Sequence, residues 1–106
     1  MKKETIKYNH IKLGTLEIEN SIQNKNEYSR TTIYNRAGTI REIRNYKNNK
    51  LEGDFQTYWP NGEAHLKGTY INGCRSGLWK AYNNKGELIQ EETHNKKAKL
   101  IRNITN

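Results

Sequence analysis

Laid over itself with an offset of 24 residues, the chain matches at position after position. The stretch Gly53 to Gly86 reads GDFQTYWPNGEAHLKGTYINGCRSGLWKAYNNKG. The offset carries Gly53 onto Gly77, Phe55 onto Trp79, Tyr58 onto Tyr82 and Gly62 onto Gly86. It runs backwards too, from Gly62 to Gly38 and Gly14, from Tyr58 to Tyr34 and His10, and from Tyr70 to Tyr46 and Ile22. Periods of this length mark chains made by copying one supersecondary unit. Four copies are expected, at about residues 5–25, 29–52, 53–76 and 77–100, inside a single domain spanning 1–106.

Each copy reads as two short antiparallel strands. Asp54 to Trp59 is rich in β-forming types, and Pro60-Asn61-Gly62-Glu63 turns the chain. Ala64 to Ile71 is strand-like again, and Asn72-Gly73 is a strong hairpin signal because a type I′ turn needs positive φ at both central positions. Asn49 stands where Gly73 stands later, and asparagine tolerates that backbone best among the non-glycine residues. Gly14, Gly38, Gly62, Gly73 and Gly86 are the expected turn residues. Ala64, Leu66, Gly68 and Tyr70 share one face by alternation, while the other face carries Glu17, Arg41, Lys67 and Glu91. The expected fold is therefore all-β, an elongated twisted meander of about eight strands. A short helix is allowed only near Asn95–Ile104.

Composition sets the thickness of that sheet. Leu, Ile and Phe are few, there is no Val, and the formal net charge is +8, values at which disorder would otherwise be expected. Recurring glycines and rings argue for order, with a core supplied by Tyr, Trp and Phe. A thin sheet leaves both end strands open to pairing with another chain. The single cysteine, Cys74, cannot close an internal disulfide, and the N-terminus lacks the apolar stretch of a signal peptide, so a cytoplasmic setting is expected.

Catalytic chemistry has little to work with. No nucleophile elbow, no His-Glu-x-x-His and no phosphate-binding Gly-x-x-x-x-Gly-Lys is present. His10 and His94 occupy repeat slots held by Tyr or Ile in other copies, and His65 is an outward strand position, so no metal set is expected. No cofactor and no small-molecule substrate are implied. The rings form two registers: Tyr34, Tyr58 and Tyr82, and Phe55 with Trp79. They read first as core packed on equivalents one copy away, and second as a ladder offered to a partner. Basic residues gather at Arg36, Arg41, Arg44, Lys47 and Lys50, where they serve solubility or an anionic partner.

Gly68-Thr69-Tyr70-Ile71-Asn72-Gly73-Cys74-Arg75-Ser76-Gly77-Leu78-Trp79-Lys80-Ala81-Tyr82-Asn83-Asn84-Lys85-Gly86 resembles the MORN repeat. The spacing of each copy's opening glycine, aromatic, tyrosine and closing glycine looks like the bacterial MORN-variant proteins named as antitoxin components. Cys74 departs where the family usually has a basic residue, and His94 where an aromatic is usual. The resemblance implies an extended β-meander that binds other molecules. The expected partner is another protein, in an antitoxin-like role. The alternatives are anionic lipid or nucleic acid, and a second copy of the chain paired through edge strands. The residues expected to meet a partner are Tyr34, Arg36, Arg41, Arg44, Tyr58, Trp79 and Tyr82.

Overall fold

The computed structural model describes residues 7–94, and every regular element among them is a β-strand. They are β1 (Lys7–Leu13), β2 (Leu16–Gln23), β3 (Asn26–Tyr34), β4 (Ile40–Lys47), β5 (Lys50–Leu51), β6 (Gly53–Tyr58), β7 (Ala64–Ile71), β8 (Cys74–Tyr82) and β9 (Leu88–His94). The sheet runs β1-β2-β3-β4-β6-β7-β8-β9, with the two-residue β5 alongside β4. Every pairing is antiparallel, so the chain is an open meander of the expected kind. The helix expected near Asn95–Ile104 lies outside the described residues.

Two kinds of turn close the hairpins, one kind at each end of the strands. At one end Asn24-Lys25, Asn48-Asn49 and Asn72-Gly73 all have positive φ, from 48° to 83°, as a type I′ turn requires. Asparagine leads all three, so the first copy keeps this turn without any glycine. At the other end sit five-residue loops, 35–39, 59–63 and 83–87. Asn35, Trp59 and Asn83 donate their N–H to the carbonyls of Thr39, Glu63 and Glu87 at 2.8, 2.8 and 2.9 Å. Gly38, Gly62 and Gly86 complete each loop with φ of 90°, 93° and 86°. Gly14 does not belong to this set. Its φ is 59° and it opens a two-residue turn between Leu13 and Leu16, so the copying expected to reach Gly14 stops short of it.

The third and fourth copies are bulged where the second is regular. Gly53 and Gly77 hold φ of 94° and 68°, and at each the ladder to the preceding strand is interrupted. Ser29 fills the equivalent slot in β3, and there the β2–β3 ladder runs unbroken from Leu16↔Ile33 to Gln23↔Asn26. A residue with a Cβ resists the left-handed backbone that the bulge needs, so the serine copy stays regular.

Residues paired across strands share a face. One face, here the front, carries Ile11, Leu13, Leu16, Ile18, Ile33, Phe55, Leu66, Tyr70 and Trp79. The back carries His10, Lys12, Glu17, Thr32, Tyr34, Lys67 and Glu91. The molecule measures 46 × 41 × 21 Å, the proportions of one layer. Among the described residues only Trp79 is a fully covered hydrophobic side chain, at 2% exposure. Its indole lies on Gly68 of β7, where a Cβ would come within 2.0 Å of the ring. Phe55 and Tyr70 flank it with centroids at 5.8 and 5.1 Å, and the Arg75 guanidinium closes over it at 4.3 Å. Edge-to-face rings and a stacked cation add attraction beyond area burial.

Candidate functional site

The front face has two adjoining parts. Over β4, β6 and β7 lies an open concavity of about 530 Å³ with Phe55, Leu66 and Tyr70 in its lining and Arg41, His65 and Arg75 among its charged or polar residues. Ile33 borders it and leads across β3 to the aliphatic residues of β2 and β1, paired as Leu16↔Ile33, Leu13↔Leu16 and Ile11↔Ile18. Leu13 is 70% exposed and Ile11 49%, although both stand on the face that elsewhere holds the core. Apolar area in this position is still in water, and covering it would release the usual hydrophobic gain.

Charge on the front is unevenly committed. Arg44 pairs with Glu42 and donates a hydrogen bond to the Tyr46 hydroxyl at 3.4 Å. Tyr46 first and Glu42 second hold its guanidinium above its ordinary pKa. Arg41 and Arg75 are exposed at the concavity, with Arg75 spending one surface on Trp79. His65 accepts or donates a 3.2 Å hydrogen bond with Thr57 Oγ1 and packs against Trp59 at 4.3 Å.

The back face is polar and knitted together. Tyr34 donates its hydroxyl to Glu17 Oε1 at 2.5 Å, His10 Nε2 stands 2.5 Å from Glu17 Oε2, and Lys12 lies 4.9 Å over the Tyr34 ring. Tyr34 above all, then His10, keeps the Glu17 carboxyl below its ordinary 4.5, and Glu17 in turn raises the Tyr34 phenol above 10.0. Farther along, Arg30 donates from Nε to Asn45 at 3.1 Å, and Asn45 donates to the Asp54 carbonyl at 2.8 Å.

Of the residues expected to meet a partner, only some come together. Tyr34 faces the back, its hydroxyl occupied by Glu17. Tyr58 is half-buried and donates to Gln56, and Tyr82 is half-buried with its carbonyl accepting from Trp59 Nε1 at 2.9 Å. Trp79, at 2% exposure, is packed as the first reading of the rings has it and has almost no surface to present. Phe55 and Trp79 do stack on each other one copy apart. Arg36, Arg41, Arg44, Lys47 and Lys50 do not form one patch. They are strung from the 35–39 loop, along β4, to the start of β5, with Arg44 internally paired. Sequence reasoning missed Gly68 as the seat of Trp79, and Trp59 as a tie between copies. The first was signalled by a glycine inside an alternating strand, a mark of close approach. The second had no periodic signal, because Asn35 and Asn83 hold its slot.

Residues 51–72, from β5 to the turn after β7, match the family model described as MORN repeat variant. No curated protein and no solved structure gave a match to the chain.

Proposed function

We propose that the chain is a non-catalytic repeat module that holds a partner protein against its front face. The carrying observation is the continuity of that face: exposed Ile11, Leu13 and Leu16 run by way of Ile33 into a concavity lined by Phe55, Tyr70, Arg41 and Arg75. Apolar surface ending in arginine and aromatic residues has the composition of an interface centre. The match to a MORN repeat variant supports a binding role. The resemblance to bacterial MORN-variant proteins supports a cytoplasmic, antitoxin-like task in which the partner is a toxin protein.

The test is co-purification and cross-linking from the native host with paired variants. Leu13→Asp with Leu16→Asp on the front should lose the partner. Lys67→Asp on the back should keep it. Recovery of no partner at any salt, or equal recovery by both variants, overturns the reading. The net charge of +8 supports a second reading, an electrostatic binder of anionic lipid or nucleic acid. Gel shifts and liposome sedimentation at low salt, both blank, would remove it.

A further inference from the structure

The two ends of the sheet are unlike, and they suit each other. Among the described residues β1 and β9 each have a neighbour on one side only, so each offers a row of backbone N–H and C=O groups. The β1 sequence KYNHIKL holds two lysines and a histidine and no acid, whereas β9, LIQEETH, holds two glutamates and a histidine, His94, which stands 3.2 Å from Glu92, and no lysine or arginine. Glu91 and Glu92 are both exposed, as are His10 and Lys12. Like charges facing each other resist β1–β1 and β9–β9 pairing, while β1 against β9 is attractive.

Geometry favours the same match. Strands of the meander alternate in direction, and the neighbour that would follow β9 runs in the direction of β1, β3, β6 and β8. A second copy placed end to end, its front continuous with the first, presents β1 in that direction. With the two seven-residue strands fully overlapped, His10 falls opposite Glu91, Ile11 opposite Gln90 and Asn9 opposite Glu92. Lys12 then lies two residues from the His10–Glu91 pair, within diagonal reach on the back face. This register keeps every front residue on the front, and a shift by one residue would not.

We infer that copies of this chain associate head to tail, β1 of one copy pairing antiparallel with β9 of the next. The contact is heterologous, so it does not close on itself as a two-fold dimer does, and it builds chains of copies. It does not rest on the front-face reading above, because it uses the sheet's ends.

Sedimentation velocity on the full chain, over a range of concentrations at low and high salt, reads the association directly. The expected result is open-ended growth with concentration, weakened by salt. Lys12→Glu alone should weaken self-association about tenfold, and so should Glu91→Lys with Glu92→Lys, through like-charge contact. Mixing the two variants should restore association, since the acidic β9 of the first meets the basic β1 of the second. Hydrogen exchange on the wild-type chain supplies a readout independent of any variant's folding. Amide protection should rise with concentration at β1 and β9 and nowhere else. A monomer at every concentration in low salt overturns the inference. So does protection gained on the front-face strands instead of the ends, or a mixture of the two variants that associates no better than either alone.

Discussion

The stretch β1–β4 and the stretch β6–β9 are built from the same repeat and are held together in opposite ways. In β6–β9 the front is sealed by rings: Trp79 on Gly68, with Phe55 and Tyr70 beside it, and glycine bulges at 53 and 77 that bend the sheet. In β1–β4 the slot of Phe55 and Trp79 holds Thr31, the slot of Gly68 holds Arg44, and the slot of the bulge glycines holds Ser29. The front of β1 and β2 is left aliphatic and open, that of β4 carries the Arg44–Glu42 pair, and the back is tied across strands through Tyr34, Glu17, His10 and Lys12. The contrast teaches that a single-layer sheet covers a large ring only where a neighbouring strand gives up its side chain. A glycine on one strand and an aromatic on the strand beside it, as at Gly68 and Trp79, act as one unit, and losing either removes the reason for the other.

The largest expected effect breaks the ring-sealed half. Trp79→Ala should cost about 4 kcal/mol in urea unfolding, while Thr31→Ala at the equivalent slot should cost about 1 kcal/mol or less. Near-equal losses would mean the two halves do not differ in the way described. Gly68→Ala comes next, at about 3 kcal/mol, because the added methyl meets the indole ring itself. In a double-mutant cycle with Trp79→Ala much of that cost should vanish, and strict additivity would show that the glycine serves something other than the ring.

Smaller effects sharpen the bend. Gly77→Ala should cost about 1 to 2 kcal/mol through its left-handed backbone, whereas Ser29→Gly, in a straight strand, should cost about 0.5 to 1 kcal/mol through chain entropy alone. Calorimetry on both would separate the two causes by a test of Gly53→Ala, expected to resemble Gly77→Ala. The smallest effect concerns the back-face ties. The Glu17 carboxyl is held low, so its contribution is present above pH 4.5 and is lost as pH falls through the folded value. The Tyr34 phenol is held high, so its contribution is full below pH 10.0 and is lost as pH rises through the folded value. Glu17→Gln should flatten both limbs of the stability-versus-pH curve, and an unchanged curve would show that the Tyr34–Glu17 bond adds nothing measurable.

Most of the architecture was legible because the chain states it repeatedly. Asn48-Asn49 and Asn72-Gly73 sit at a constant spacing and demand hairpins, and Tyr34, Tyr58 and Tyr82 fix the phase of the strands. Legibility failed where a local choice overrode the period. Gly14 looked like the first of four equivalent glycines, yet Leu13 and Leu16 pair directly across it and shorten the loop to two residues. The candidate surface was harder to read, since neither exposure nor direction follows from residue type. Trp79 and Leu13 are both apolar members of alternating strands, and one is sealed while the other is 70% exposed. What separates them is the presence of strands and rings beyond them, a property of the assembled sheet. Arginines adjacent in sequence likewise spread along β4, because successive strand residues advance about 3.3 Å and alternate in direction.

The two-residue turns at Asn24, Asn48 and Asn72 recur in constant phase, and that regularity reaches into the gene. A stretch of coding sequence beginning just after one such turn and ending with the next encodes one two-stranded increment of sheet, tied to its neighbour through Trp79 on Gly68 and Trp59 on Tyr82. Its excision or tandem duplication would splice like onto like, preserving reading direction, facing and hydrogen-bond parity on either side of the scar. Changing the number of copies would therefore lengthen or shorten the sheet in steps of one hairpin.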